Sequence, residues 1–371
     1  MRIIAFEQAP TRFAGGQERS FFEVLTWLSA AGHEIHLFYT QSGELIPEYE
    51  KAGISTAKLS ARQLKPQKAA NIIADIVRAR KWIHSIQPDF LYVNQYPDTP
   101  FPALAGWITG TPLIVHLRLP CPHYLSRQYK WGLRRTTGCI AISRATQRGY
   151  IDAGIKEQKV RVLHNAIDIN QIGFYETTDN SETRKISYLG RLCPEKGVEV
   201  LIRTFKKLAT VRKDMTLELV GNVRGAGIDP QAYMRHLKDM AGNLLNDRII
   251  FRAHQSNINA NLTGTDLVVL PSIWQEPFGR VLIEAMAAGI PPIGSDIGGI
   301  PEVLRPIDSE LLFNPNDEES LMSTILNTID LKRRNTKFRQ RLRKEAEESY
   351  SLQKYIPALE GIFKEFLSEA N

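Results

Sequence analysis

The sequence predicts an α/β protein of two doubly wound domains, each a parallel sheet with helices on both faces. Short β-rich runs alternate with helical patterns through both halves of the chain, a pattern typical of parallel strands covered by helices. The chain has 371 residues, and because a domain usually holds ~100–200 residues, we expect two. The polar stretch 170–184 contains few apolar residues, which places the domain boundary there.

In the first half we expect six strands and, between the first two, an amphipathic helix from about Ser20 to Ala31 that Gly32 ends. The N-terminal apolar stretch is short and Glu7 follows it at once, so we interpret it as a strand and not as a signal peptide. The predicted strands are RIIAFEQ, EIHLFYT, FLYVNQY, PLIVHLR, GCIAIS and VRVLHNA.

The second half repeats the scheme, with strands expected at KISYLGRL, TLELVGN, RIIFRAH, LVVLPSI and PPIGSDI. The last segment has apolar residues at helical spacing, so we expect a helix with an apolar stripe that packs on the first domain. We therefore assign residues 1–169, joined by the helix 352–371, to an N-terminal domain. Residues 170–351 are assigned to a C-terminal domain.

Charge and cysteine content limit the classes of function. The net charge is +7 with a pI near 9.2, and such a positive field suits nucleic acid, anionic lipid or a phosphorylated substrate. Basic clusters at 78–82, 127–135 and 332–344 are interpreted as solvated faces, with a membrane-surface contact as the alternative around Trp131. Three widely spaced cysteines fit a reducing cytosol, and no run is long enough to span a membrane.

The segment EPFGRVLIEAM, which begins at Glu276, places two carboxylates near a predicted helix start. Glu276 and Glu284 are eight residues apart, and the helix is expected from Arg280 to Ala288. Backbone N–H groups at a helix start carry a partial positive charge, so those of Phe278 to Val281 could hold a diphosphate without a metal ion.

The segment GRLCPEKG, residues 190–197, adds two cations in a glycine-flanked loop after a strand. Arg191 and Lys196 could neutralise a diphosphate leaving group as its charge grows. The alternative is that they pair at the surface with Glu195 or Glu199. The chain contains no Asp-x-Asp motif, so we expect no metal site and no cofactor.

These segments, together with GGQE near the N-terminus and GGIPE after the second carboxylate, resemble the retaining nucleotide-sugar glycosyltransferases of family 4. Members of that family have the GT-B fold, in which two Rossmann-like domains face each other across a cleft. The resemblance covers nearly the whole chain and is strongest from Lys185 to Leu304.

The resemblance implies roles for matching residues of the second half. Glu276 would bind the hydroxyls of the donor sugar and Glu284 the nucleotide ribose. Arg191 and Lys196 would hold the diphosphate from one side. The backbone donors on the other side would be Phe278, Gly279, Arg280 and Val281.

In the first half, the resemblance implies that Gly15 and Gly16 form a loop that closes over the diphosphate and the sugar. His116 matches a histidine commonly found beside the reacting sugar. The alternative for His116 is a structural histidine, fully hydrogen-bonded at the end of a strand. The N-terminal domain would bind the acceptor, which is expected at residues 96–103 and 118–131, and the C-terminal domain would bind the nucleotide-sugar donor.

The predicted function is transfer of a sugar from a UDP- or GDP-sugar to an acceptor hydroxyl with retained anomeric configuration, in glycan, glycolipid or glycoconjugate synthesis. The acceptor would be a sugar, a lipid-linked compound or a small molecule, and no nucleic acid partner is expected. We expect a cytoplasmic enzyme, with a peripheral contact to the inner face of the membrane as a further hypothesis. Two alternatives stay open, a GT-B-fold sugar-nucleotide epimerase and a non-catalytic nucleotide-sugar-binding protein.

Overall fold

The structure, a computed structural model, describes residues 1–11, 16–60, 69–175, 183–255, 257–333 and 335–370. The chain divides into two compact units. The first comprises Met1–Asn165 and Leu352–Asn371, and the second comprises Ala166–Ser351. Within the described ranges, no helix is long and apolar enough to cross a lipid bilayer.

The first unit contains a seven-stranded sheet in the order β3-β2-β1-β4-β5-β6-β7, and every strand pair is parallel. The strands are β1 Arg2–Glu7, β2 Glu34–Tyr39, β3 Ser55–Lys58, β4 Phe90–Val93, β5 Leu113–Leu117, β6 Gly138–Ala141 and β7 Val160–Val162. The helices are α1 Gly16–Ala30, α2 Ile46–Lys51, α3 Ala69–Ile86, α4 Pro100–Thr109, α5 Arg127–Arg134, α6 Arg144–Asp152 and α14 Leu352–Ala370.

The second unit contains a six-stranded parallel sheet in the order β10-β9-β8-β11-β12-β13. Its strands are β8 Arg184–Leu189, β9 Met215–Val220, β10 Ile249–Arg252, β11 Leu267–Leu270, β12 Pro292–Ser295 and β13 Leu312–Phe313. Its helices are α7 Val198–Val211, α8 Pro230–Ala241, α9 Ile258–Leu262, α10 Arg280–Ala287, α11 Ile300–Leu304, α12 Glu318–Asn327 and α13 Thr336–Ser349. The predicted fold class is confirmed.

Every strand expected from the sequence is present, and two further strands were missed. β3 has the sequence STAK, with both end residues exposed and neither central residue fully buried, and it lies at the edge of its sheet. β13 has only two residues, also at an edge. Strands at an edge need no continuous apolar run, because only one side of each is hydrogen-bonded and their faces are less covered.

The first unit ends at Asn165, slightly before the boundary expected after residue 169. Ile167 donates its backbone N–H to the Tyr350 carbonyl at 2.9 Å. The side chain of Asn259 then bonds the Gln171 carbonyl at 2.7 Å and the Gly173 N–H at 2.9 Å. These bonds tie the segment that follows Asn165 to the second unit.

The C-terminal helix α14 belongs to the first unit, as its apolar stripe suggested. Phe363 is fully buried, with its ring 4.7 Å from that of Phe90 and 5.2 Å from that of Tyr92. His33 Nε2 lies 2.7 Å from a Glu360 carboxylate oxygen. The helix therefore covers the sheet face formed by β4 and its neighbours.

This packing predicts that Phe363→Ala destabilises the first unit by about 3–5 kcal/mol, because the substitution removes a buried ring and leaves a cavity. Chemical denaturation of the full chain measures the change. Lys364→Ala is the matched control, since Lys364 is exposed on the same helix, and it should change the free energy of unfolding by about 0.5 kcal/mol or less. Equal stability of the two variants would contradict the observed docking of α14.

Candidate functional site

In the second unit, the loop that contains Arg191 and Lys196 and the loop that contains Glu276 follow neighbouring strands. Residues 190–197 follow β8 and residues 271–279 follow β11, and these two parallel strands are adjacent in the sheet. Gly197 has φ +69°, and a Cβ atom there would lie 1.8 Å from the Pro271 carbonyl oxygen. Only glycine permits this approach of the two loops.

Lys196 and Glu276 form an ion pair across these loops. The Lys196 Nζ lies 2.5 Å from Glu276 Oε2, and both side chains are largely buried. Lys196 thus pairs with the carboxylate that was itself a predicted site residue, and not with Glu195 or Glu199. The structure brings together two functional candidates that are 80 residues apart in the sequence.

Two further side chains, which the sequence analysis did not identify, bind the same carboxylate oxygen. Ser272 Oγ donates to Glu276 Oε2 at 2.9 Å, and Trp274 Nε1 donates to it at 3.3 Å. The Lys196 ammonium also lies 5.6 Å from the centre of the Trp274 ring. Glu276 Oε1 accepts no hydrogen bond from the part of the chain that the structure describes, so it can accept one from a ligand hydroxyl.

Glu276 stays ionised although it is only 7% exposed. Burial by itself would raise the pKa of this carboxyl, but the Lys196 charge and the hydrogen bonds from Lys196, Ser272 and Trp274 outweigh it and lower the pKa below its usual value. The group is therefore a fixed anion that accepts hydrogen bonds.

Arg191 lies in the same loop as Lys196 and is half-buried. Its backbone carbonyl accepts a hydrogen bond from the Tyr188 hydroxyl at 2.5 Å, which fixes the start of the loop. In contrast to Lys196, its guanidinium makes no ion pair with any carboxylate of the described ranges. It remains a candidate for binding an anionic ligand.

Helix α10 begins at Arg280, as predicted, with Gly279 as the preceding cap residue. The first N–H groups of a helix have no acceptor within the helix and carry its partial positive charge. Glu284, one turn into α10, is buried, and its Oε1 accepts from Arg280 Nε at 3.0 Å. The protein therefore supplies Glu284 with one charged partner of its own.

Gly298 and Gly299, which lie just before α11, approach the backbone of Glu276 closely. Gly298 has φ +63°, and a Cβ atom there would lie 2.3 Å from the Glu276 carbonyl oxygen. Gly299 donates its N–H to the same oxygen at 2.7 Å. The two glycines therefore allow the close approach of this backbone segment to the backbone of Glu276.

In the first unit, Gly16 is the first residue of α1, whereas Gly15 lies outside the described residues. His116 lies within β5 and is completely buried. Its Nδ1 is 2.6 Å from the Tyr92 hydroxyl and 3.4 Å from Arg118 Nη2. Tyr92 belongs to the neighbouring strand β4 and is a further residue that the sequence analysis missed.

These contacts fix the tautomer of His116. A guanidinium can only donate, so Nδ1 must be the acceptor, and the Tyr92 hydroxyl donates to it. Burial and the Arg118 charge lower the pKa of His116 well below its usual value, so the ring is neutral and its proton is on Nε2. Nε2 is buried without a hydrogen-bond partner among the described side chains. The histidine is therefore only half satisfied within the described part of the chain.

Two family models together match most of the chain. Residues 14–171 match the model described as "Glycosyltransferase Family 4", and residues 174–349 match "Glycosyl transferases group 1". The chain is 25% identical to the glycogen synthase of Mycobacterium tuberculosis, over 92% of this chain and 76% of that protein. It is 24% identical to the phosphatidyl-myo-inositol mannosyltransferase of Mycolicibacterium smegmatis, over 85% of this chain and 81% of that protein.

Solved structures agree with these matches at the level of the fold. A crystal structure of Anabaena HepE in complex with UDP-glucose superimposes with a TM-score of 0.81 and 22% sequence identity, over the full length of both chains. A glycosyltransferase from Rickettsia africae has a TM-score of 0.81 with 20% identity, over 99% of this chain and 98% of that chain. The chain therefore belongs to the family 4 glycosyltransferases, enzymes of the hexosyltransferase type with the GT-B fold.

Proposed function

We propose that the protein transfers a hexose from a UDP- or GDP-sugar to an acceptor hydroxyl, with retention of anomeric configuration. The observation that carries this proposal is the Lys196–Glu276 pair at the ends of β8 and β11. The pair places a cation, which would bind the diphosphate, beside an ionised carboxylate, which would bind the attached sugar. HepE, whose structure contains UDP-glucose, makes UDP-glucose the first donor to test.

The diphosphate would be neutralised by the protein itself, with no metal ion required. Arg191 and Lys196 supply two positive charges on one side. The backbone N–H groups at the start of α10, Phe278 to Val281, supply a partial charge on the other side. As the bond to the sugar breaks, negative charge grows on the leaving phosphate oxygen, and preformed positive groups stabilise that change.

The proposed chemical step is a front-face substitution at the anomeric carbon. The bond from this carbon to the diphosphate oxygen breaks, and an oxocarbenium-like centre forms. The acceptor oxygen then bonds to the carbon from the same face, and its proton passes to the leaving phosphate oxygen. Glu276 would orient the sugar through Oε1, and Glu284, held by Arg280, would bind the ribose diol.

His116 would act as a neutral hydrogen-bond donor to the sugar. Its Nε2–H is fixed by the bond between Nδ1 and Tyr92, so it can donate to a sugar oxygen without transferring a proton. Tyr92 is then a positioning residue, because it acts only through His116.

A surface of α4 and α5 supports a proposed contact with anionic membranes. Trp107 is 62% exposed and Ile108 is 44% exposed. The Arg135 guanidinium lies 4.6 Å from the Trp107 ring centre and 5.1 Å from that of Trp131. Exposed aromatic and aliphatic side chains beside arginines suit the headgroup region of a bilayer. A lipid-linked acceptor would then be reached at the membrane surface.

The first functional prediction concerns Lys196. We expect Lys196→Ala to reduce turnover by about 10²–10³-fold, because one preformed charge at the leaving group is lost. The donor is first chosen as the UDP-, GDP- or ADP-sugar that raises the melting temperature most. Initial rates are then measured with that donor over a panel of acceptors.

Lys238→Ala is the control, since Lys238 is exposed on α8, and its turnover should equal that of the wild type. Unchanged turnover in Lys196→Ala would exclude the assigned role.

Incubation with donor alone separates transfer from epimerisation. Free nucleotide that appears only after addition of acceptor indicates transfer, whereas a new nucleotide sugar indicates an epimerase.

The second functional prediction concerns Tyr92. In ¹⁵N NMR spectra we expect the His116 signal, identified by its loss in His116→Gln, to show a neutral ring protonated on Nε2 from pH 6 to pH 8. Tyr92→Phe removes the nearer of the two donors to Nδ1 and leaves only the weaker Arg118 contact at 3.4 Å, so a fraction protonated on Nδ1 should appear. Turnover should fall by about tenfold, the effect of one lost hydrogen bond, with the melting-temperature shift by UDP unchanged.

Tyr150→Phe is the matched control. Tyr150 is also buried in the first unit and donates its hydroxyl to the Leu119 carbonyl at 3.2 Å, with no contact to His116. Its removal should leave the tautomer and turnover as they are. A wild-type ring protonated on Nδ1, or equal spectra for the two Phe variants, would refute the assignment.

The third functional prediction tests the membrane contact by sedimentation with anionic liposomes. We expect binding at low salt that weakens at high salt, and a loss of most of it in Arg134→Ala/Arg135→Ala. Lys337→Ala/Lys344→Ala removes the same charge from exposed positions of α13 and should bind as the wild type does. If both double variants lose binding equally, net charge and not this surface is responsible.

A further inference from the structure

Three hydrogen-bond donors converge on one oxygen of the Glu276 carboxylate. The Lys196 ammonium lies 2.5 Å from Oε2, the Ser272 hydroxyl lies 2.9 Å from it and the Trp274 indole nitrogen 3.3 Å. An ionised carboxylate has about four lone-pair directions, so one oxygen offers about two. Two of these donors are therefore enough to satisfy Oε2, and the third is in excess.

Lys196 is the donor that a diphosphate would draw away from this oxygen. Under the proposed function its ammonium binds the diphosphate, which carries more negative charge than a carboxylate. A lysine is a point charge at the end of a flexible stem, so it can turn from one anion to the other. Such a turn leaves Glu276 with a weaker positive partner, which is unfavourable for a carboxylate that is only 7% exposed.

Ser272 and Trp274 can replace the lysine as donors to Oε2. Ser272 is completely buried, so water does not compete for its hydroxyl. The Trp274 indole has a single N–H group, which can only donate. The face of the same indole lies 5.6 Å from the Lys196 ammonium, within the range of a cation–π contact. Trp274 therefore contacts both partners of the ion pair.

Other bonds hold the backbone around these two side chains. Ile273 donates its N–H to the Glu195 carbonyl at 3.1 Å, and Gly299 donates its N–H to the Glu276 carbonyl at 2.7 Å. Neither bond involves the side chain of Ser272 or of Trp274. The hydroxyl and the indole N–H can therefore be removed by substitution without removing the backbone bonds that fix the loop.

We propose that Ser272 and Trp274 are positioning residues that hold the Glu276 carboxylate in place when a diphosphate draws the Lys196 ammonium away from it. The proposal rests on the proposed function, because it describes how the same site receives the diphosphate. Without these two donors, Glu276 would retain the ammonium, and the diphosphate would bind with one cation fewer. Ser272 and Trp274 act through Glu276 and Lys196 and do not themselves touch the ligand.

Binding of UDP, which has a diphosphate but no sugar, tests this role by isothermal titration calorimetry on the full chain. Ser272→Ala/Trp274→Phe removes both donors and keeps an aromatic ring beside Lys196. We expect its Kd for UDP to rise by about tenfold, the effect of one lost charge-assisted bond to the diphosphate. GDP replaces UDP if guanine nucleotides give the larger melting-temperature shift.

Rescue by a further substitution separates this role from a structural one. Glu276→Gln keeps an oxygen that accepts from Lys196 but removes the competing charge, so UDP should bind at least as tightly as it does to the wild type. In the Glu276→Gln background, loss of the Ser272 and Trp274 donors should then change the Kd by about twofold or less. A direct contact of either side chain with UDP, or a distorted loop, would preserve the tenfold loss there and would overturn the proposal.

Gln275→Ala is the control, because Gln275 is exposed in the same loop, and it should bind UDP as the wild type does. If the double variant does not fold, Trp274→Phe alone serves and should weaken binding by about threefold. Equal Kd values for the wild type and the variant used would overturn this proposal while the transferase proposal stands. If neither UDP nor GDP binds to the wild type, the donor assignment fails and this proposal fails with it.

Discussion

The ion pair between Lys196 and Glu276 is the interaction on which the site of the second unit depends. It exists only because β8 and β11 are adjacent and because Gly197 and Gly298 let three backbone segments approach closely. Removal of one partner from a largely buried pair commonly costs about 3–5 kcal/mol, since the other charge is left without compensation. Both partners are therefore needed for the loops to keep this arrangement, and under the proposed function the same two groups would bind the diphosphate and its sugar.

The two units differ in the charge states of their buried ionisable groups. In the second unit, hydrogen bonds and a positive charge lower the pKa of Glu276, so the carboxylate stays charged in a buried place. In the first unit, burial lowers the pKa of His116 and raises that of Glu7, so both tend to be neutral. Under the proposed function, the charged groups of the second unit would bind the diphosphate and its sugar. The neutral groups of the first unit would form hydrogen bonds with hydroxyl groups without removing their protons.

The sequence predicted most of the fold because buried parallel strands are continuous apolar runs, and only the short edge strands β3 and β13 lacked that signal. It also identified Lys196 and Glu276, but not their pairing, since no local pattern links positions 80 residues apart. Tyr92 was missed because only the pairing of β4 with β5 brings it near His116. Ser272 and Trp274 lie just before Glu276 in the sequence, but no pattern there indicates that their side chains donate to its carboxylate.

The basic stretch 332–344 follows the prediction only in part, since Lys337, Arg341 and Lys344 are exposed and other basic residues are not. It was interpreted as a solvated face, but Arg333 is buried and paired with Asp266, and Arg339 is buried and donates to the Gly289 carbonyl at 2.7 Å. Arg339, Leu342 and Ala346 lie on one side of α13 at helical spacing and are all buried. The spacing of these three residues indicates that Arg339 faces inward. The interpretation as a solvated face was based on the number of charges in the stretch, which does not show where each side chain lies.

Several unsatisfied buried groups of the first unit lie together at one end of its sheet. Glu7 Oε1, both side-chain polar atoms of Asn94 and His116 Nε2 have no hydrogen-bond partner in the described part of the chain. They belong to β1, β5 and the residue after β4, three neighbouring strands. Each such group lowers the stability of the free protein, and stability lost at one place in this way is typical of functional sites. Under the proposed function, a sugar oxygen that accepts from His116 Nε2 would recover part of this free energy on binding, so the cost carried by the free protein would be returned in the complex.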